Sequence, residues 1–104
     1  MNKLTGTGTA LVTPFKANGT IDEKSLREHV DWQIKSKVEF LVPCGSTGES
    51  ATMTREERRR VIEIVVDQNS GRLPVVSGTG TNSTADSIEL THDAREVGAD
   101  AVLL

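Results

Sequence analysis

The sequence predicts an α/β fold running βαβαβαβ over residues 1–104, read as part of a single domain. Three observations predict it. Apolar stretches and helical stripes alternate from end to end, with one unit about every 30 residues, the spacing of right-handed βαβ crossovers. The strand stretches are apolar throughout rather than alternating, as in a parallel sheet covered on both faces. The last of them, Ala101-Val102-Leu103-Leu104, has no helix after it and would leave apolar surface uncovered. The expectation is therefore the front part of a larger α/β domain.

Each element has its own signal. Thr9-Ala10-Leu11-Val12 reads as a first strand that stops at Thr13-Pro14, because proline removes a ladder donor. Phe15 to Thr20 is a turn centred on Asn18-Gly19. Asp22 caps a helix whose buried side carries Leu26, Val30 and Ile34, one turn apart. Glu39 to Val42 is the second strand, closed by Pro43. Thr54-Arg55-Glu56-Glu57 is a capping box, followed by a stripe of Val61, Ile62, Val65 and Val66 and ended by Asn69-Ser70-Gly71. Leu73-Pro74-Val75-Val76 reads as the third strand, with Gly78-Thr79-Gly80-Thr81-Asn82 as the loop after it. Ser83-Thr84-Ala85-Asp86 reads as a second capping box, opening a helix with Ala85, Ile88, Ala94 and Val97 as its apolar residues at roughly helical spacing and Gly98 at its C-terminal cap.

Composition narrows the function classes. A net charge of −3 and only three aromatic residues, with no tyrosine, give neither the basic stripe nor the stacking platform of a nucleic-acid binder. The one dense basic cluster, Arg58-Arg59-Arg60, falls inside a helix and reads as a solvated face. No apolar run approaches the ~20 residues of a membrane span. Met1 to Thr5 has no apolar core of a leader, and a single cysteine, Cys44, fits a reducing compartment, so a cytoplasmic protein is expected. Cys44 itself reads as a small apolar residue at a strand end.

The run Gly45-Ser46-Thr47-Gly48-Glu49-Ser50 follows the apolar stretch Phe40-Leu41-Val42, where a strand ends and a loop begins. Glycines let backbone N–H groups turn toward a ligand, and hydroxyls add donors beside them, so this is a cradle for a small anion, phosphate or carboxylate. Gly45 and Gly48 supply the turn, and Ser46 and Thr47 the two hydroxyls, of this candidate binding run. Glu49 reads as structuring the loop through backbone N–H groups. His29 and His92 lie mid-helix without metal-ligand spacing, and Asp22-Glu23 and Glu56-Glu57 complement helix dipoles, so neither a metal nor a cofactor is called for. Gly78-Thr79-Gly80 lacks the third glycine and acidic partner of a dinucleotide loop, and Thr81 and Asn82 are weak candidates to support the site. Lys3, Lys16, Lys24, Lys35 and Lys37 all read as surface residues, so no catalytic nucleophile is assigned.

Three blocks, Ala10-Leu11-Val12-Thr13-Pro14-Phe15, Cys44-Gly45-Ser46-Thr47-Gly48-Glu49-Ser50 and Gly78-Thr79-Gly80-Thr81-Asn82-Ser83-Thr84, resemble in order and spacing the dihydrodipicolinate synthase family, which also holds N-acetylneuraminate lyases. The resemblance implies the N-terminal βαβαβαβ portion of a (β/α)8 TIM barrel, about the first third of a ~250-residue fold. It implies a lyase of lysine and diaminopimelate biosynthesis, in which a lysine forms a Schiff base with pyruvate and the resulting enamine attacks aspartate semialdehyde. It also implies a homotetramer. Within that scheme Thr47, with neighbouring N–H groups, holds the pyruvate carboxylate and Ser46 relays protons. Ser46 stands where many synthases carry threonine and keeps the hydroxyl. The lysine and tyrosines of the scheme belong beyond residue 104, so the 104 residues alone are expected to be inactive. A sialic acid lyase or other 2-oxo-acid aldolase is the alternative in the same class. A non-catalytic half-barrel that associates with another chain is the alternative from a different class.

Overall fold

The structure, a computed structural model, describes residues 4–104. Lys3 and the opening residues of the leader reading lie outside the described residues. Four strands and three helices alternate: β1 (Gly8–Ala10), α1 (Glu23–Lys35), β2 (Phe40–Val42), α2 (Arg55–Asn69), β3 (Val76–Gly78), α3 (Thr84–Glu96) and β4 (Ala101–Leu103). β1 pairs in parallel with β2, and β3 with β4. A parallel bridge between Leu41 and Val75 joins the two pairs, so the strands lie side by side in chain order. That order has no reversal, which sets it apart from a doubly wound sheet. The helices follow the same order, α1 against α2 and α2 against α3. The smallest extent of the molecule is 20 Å, room for one sheet and one helix layer.

The core fills the space between those two layers. Leu41 comes from β2, Leu11 and Val75 from the residues flanking β1 and β3, and Leu26, Val30, Val61, Ile62, Ile64, Val65 and Ala94 from the helices. Asp22 Oδ1 accepts the Ser25 N–H at 3.1 Å and starts α1. In the α2 capping box the Glu57 N–H reaches Thr54 Oγ1 at 3.1 Å, and the Thr54 N–H reaches Glu57 Oε1 at 2.9 Å. Ser70 (φ 48°) and Gly71 (φ 73°) turn left-handed and end α2.

Two readings need correction. β3 starts at Val76 rather than Leu73, because the Asn69 side chain bonds both the N–H and the carbonyl of Leu73 and holds that stretch as a turn. Gly78 accordingly lies in the strand, its N–H donating to the Pro43 carbonyl at 2.9 Å. At the start of α3 only half a capping box forms. Ser83 Oγ accepts the Asp86 N–H at 3.3 Å, while the Ser83 N–H is taken by Thr81 Oγ1 at 3.0 Å instead of the shorter Asp86 side chain. Of the apolar residues there, Ile88 is 54% exposed and Ala85 is exposed; the inward line of α3 runs through Ser87, Leu90, Thr91, Ala94 and Val97. That line keeps the 3–4 residue spacing, but two of its members are polar and a hydropathy pattern passes over them.

The arginine cluster of α2 is not simply a solvated face. Arg59 reaches Glu96 of α3 at 2.9 Å, and Arg60 reaches Glu23 of α1 at 2.8 Å. Arg55 forks onto Asp93 of α3, with Nε to Oδ2 at 2.6 Å and Nη2 to Oδ1 at 3.0 Å, a bidentate geometry that charge strengthens. Asp93 is 6% exposed. The Arg55 hydrogen bonds hold its carboxyl below the ordinary value of 3.8, against the opposing effect of burial. A carboxyl depressed in the folded state stabilises fully above its unfolded pKa, and that contribution fades as pH falls through the folded pKa. Asp93→Asn is therefore expected to be less stable than the parent at neutral pH, with the gap closing below about pH 4. Denaturant unfolding across a pH series measures this, and a gap independent of pH would place the origin elsewhere.

Candidate functional site

The run between β2 and the short 3-10 turn Ser50–Thr52 folds back on itself. Cys44 (φ 59°) and Glu49 (φ 60°) are both left-handed and bracket it. Carbonyls are used up inside the turn. The Ser46 carbonyl accepts the Glu49 N–H at 3.0 Å, and the Gly45 carbonyl accepts the Ser50 N–H at 3.4 Å. The backbone N–H groups of Gly45, Ser46, Thr47 and Gly48 have no acceptor among the described residues. Ser46 and Thr47 are exposed, Gly45 is half-buried and Gly48 is buried. Neither hydroxyl has a partner among the described residues, so donors outnumber acceptors in this turn. Such a concavity suits an anion, and charge-assisted hydrogen bonds both bind and orient one.

The neighbouring strands shape the turn. Thr13, 5% exposed in the segment after β1, donates through Oγ1 to the Gly48 carbonyl at 2.7 Å. A Cβ on Gly48 would sit 3.0 Å from the Leu11 carbonyl oxygen. A Cβ on Gly78 would collide with the Cys44 carbonyl, so the end of β3 approaches the turn closer than any side chain allows. Sequence reasoning passed over both residues. Thr13 was legible only as a strand stop with Pro14, and Gly78 only as loop. The available signal was a lone hydroxyl inside an otherwise apolar block.

Other candidates fall into structural roles. Burial pushes the Cys44 thiol up to about 12, against a weaker pull from Arg58, and Sγ donates to the Arg58 carbonyl at 3.6 Å. Glu49 structures the turn through its backbone rather than its carboxylate. Its N–H reaches the Ser46 carbonyl, and its own carbonyl accepts from Thr52 N–H at 3.0 Å and Thr52 Oγ1 at 2.9 Å, because its left-handed φ leaves the side chain exposed. Thr81 is committed locally, donating to the Ser83 carbonyl at 2.7 Å and meeting Ser87 Oγ at 3.0 Å. Asn82 is exposed. His29 is half-buried against Trp32, ring centroids 5.9 Å apart, and burial lowers its pKa. Lys16, Lys24, Lys35 and Lys37 are all exposed. No helix among the described residues is long and apolar enough to cross a membrane.

The sequence pattern of the dihydrodipicolinate synthetase family matches residues 3–104. The chain belongs to that family. It is 52% identical over 102 residues to the 4-hydroxy-tetrahydrodipicolinate synthase of Nitratidesulfovibrio vulgaris, covering 98% of this chain and 35% of that protein. It is 54% identical over 99 residues to the synthase of Trichlorobacter lovleyi, covering 95% of this chain and 34% of the other. The crystal structure of the chloride-inhibited dihydrodipicolinate synthase from Acinetobacter baumannii, complexed with pyruvate, superimposes with a TM-score of 0.95 at 41% identity, over 98% of this chain and 35% of that one. The chain thus spans about a third of the length of the relatives it matches. Its fold is the N-terminal βαβαβαβ portion of a (β/α)8 barrel, as the family resemblance implied. In such barrels the βα loops carry the site, and the turn after β2 is one of them.

Proposed function

We propose that this chain supplies the carboxylate-binding part of the active site of a 4-hydroxy-tetrahydrodipicolinate synthase. The observation that carries this reading is the turn from Gly45 to Gly48, with four N–H groups and two hydroxyls unclaimed among the described residues. In the full-length enzyme a lysine outside these residues attacks the ketone of pyruvate and water leaves, giving an iminium. The cation accepts the electron pair of a methyl C–H bond as the proton departs, and the resulting enamine attacks the aldehyde of aspartate semialdehyde. Thr47 and the neighbouring N–H groups hold the pyruvate carboxylate throughout. Ser46 passes protons, and needs hydroxyl partners because an alcohol is a poor base alone. Gly45 keeps the approach to the carboxylate open, since no atom lies within 4 Å of where its Cβ would be. A lysine Schiff base needs no added cofactor. A cytoplasmic homotetramer of lysine and diaminopimelate biosynthesis completes the reading.

Two relatives above 50% identity, both synthases, favour this chemistry over a sialic acid lyase. Full-length enzyme treated with borohydride in the presence of pyruvate is expected to lose activity irreversibly, and an unaffected enzyme would sink the Schiff-base mechanism. Turnover with aspartate semialdehyde, against cleavage of N-acetylneuraminate, separates the two aldolase readings.

A further inference from the structure

The carboxylate-binding turn is held in shape by a hydroxyl from a different segment. Thr13 lies three residues after β1 with its side chain buried, and a buried hydroxyl without a partner is costly. Its one partner among the described residues is the Gly48 carbonyl, 35 residues away in the chain and 2.7 Å away in space. The peptide unit that carries that carbonyl also carries the Glu49 N–H, which donates to the Ser46 carbonyl at 3.0 Å. A trans peptide unit is planar, with its C=O and N–H pointing in opposite directions. Fixing the Gly48 carbonyl therefore fixes the Glu49 N–H, which fixes the Ser46 carbonyl. The peptide unit of Ser46 ends in the Thr47 N–H, which must point the other way, away from the body of the turn. Two peptide planes thus connect the Thr13 hydroxyl to the direction of a donor proposed to meet the carboxylate. The connection has no slack at Gly48, where a Cβ would stand 3.0 Å from the Leu11 carbonyl, 3.3 Å from Thr13 Oγ1 and 3.4 Å from the Cys44 nitrogen.

We propose that Thr13 is a positioning residue for carboxylate binding, acting through the Gly48 and Ser46 peptide planes on the Thr47 N–H. This role rests on the carboxylate reading of the turn given above. Thr13 does not touch the substrate. The carboxylate stays bound through the reaction, so loosening its donor weakens ground and transition state alike and appears in KM rather than kcat.

The test uses full-length enzyme and three proteins: the parent, Thr13→Val and Thr13→Ser. The valine variant keeps the branched shape and removes the hydroxyl; the serine variant keeps the hydroxyl and loses the methyl. Thr13→Val is expected to raise the KM for pyruvate about tenfold, as the loss of a buried hydrogen bond does, with kcat and the KM for the aldehyde near parental values. Thr13→Ser is expected to bring the pyruvate KM back toward the parent. A valine variant with a lowered melting temperature and an unchanged pyruvate KM would overturn the proposal, as would a serine variant that fails to restore KM. A rise in both KM values together would show general loosening and overturn it too. Should the valine variant not fold, Thr13→Ala faces the same criteria. The pyruvate chemistry on which the carboxylate reading rests is checked separately in the parent by borohydride trapping with pyruvate. Failure there removes that reading and the Thr13 role together, whereas success there with an unmoved Thr13→Val KM removes only the latter.

Discussion

Gly78→Ala is expected to destabilise the protein by about 3 kcal/mol, the upper part of the range for overpacking a tight site. The added methyl would fall on the Cys44 carbonyl carbon and oxygen, which are backbone atoms and cannot rotate aside like the end of a long side chain. Moving apart is also blocked, because the Gly78 N–H donates to the Pro43 carbonyl at 2.9 Å and ties β3 to the start of the turn at that level. Relief must come from shifting the turn itself, so on the proposed reading pyruvate binding should suffer along with stability. Gly45→Ala, one residue beyond the collision, meets nothing within 4 Å and should change stability by no more than about 0.5 kcal/mol. Denaturant unfolding of the two variants beside the parent gives the comparison. A Gly78→Ala protein as stable as the parent would mean that the strand ends separate more freely than their hydrogen bonding indicates.

Ser46→Ala carries the second large effect. On the proposed reading it lowers kcat of the full-length enzyme by about 10² to 10⁴, the usual worth of a positioned proton-transfer group. The KM for pyruvate should stay close to the parent, because Thr47 and the backbone donors remain. Ser46→Thr, which returns the hydroxyl with one extra methyl at an exposed position, should recover most of the rate. Steady-state kinetics with pyruvate varied at saturating aldehyde distinguishes the two constants. A rate unmoved by the loss of the Ser46 hydroxyl would remove it from the proton path and leave the turn as a binding element only.

Local chemistry in this chain was legible, and contacts between distant segments were not. Asp22, Thr54 with Glu57, and the Ser70-Gly71 stop act within four residues of themselves, and each does what its neighbours dictate. The order of strands and helices follows from the same kind of signal. β3 was misplaced because Asn69 reaches forward to clamp Leu73, a use of asparagine that strand propensity does not register. The buried face of α3 is not legible from hydropathy, because Ser87 and Thr91 lie inward there. The Thr91 hydroxyl bonds the Ser87 carbonyl one turn back and Thr79 Oγ1 across the gap, so a polar pair is satisfied in a place where hydropathy predicts Ile88. At the candidate site, the donors of Gly45 to Gly48 stood out in sequence because glycine and hydroxyl residues are adjacent. Thr13 and Gly78 did not, since their importance comes from what strands 35 residues apart bring together.

The burial of Cys44 has a practical consequence. The chain has one cysteine, and it sits at the hinge between β2 and the proposed binding turn. Thiol reagents attack the thiolate, and burial, which pushes the folded pKa up to about 12, leaves very little of it at neutral pH. An opened loop returns the thiol to an ordinary pKa of about 8.5, where a substantial fraction is ionised. Labelling of the native protein therefore proceeds almost wholly through excursions in which the turn lifts away from Arg58. The rate of modification is a clock for those excursions, readable without introducing any probe, and occupancy of the turn by a ligand that stiffens it should slow that clock.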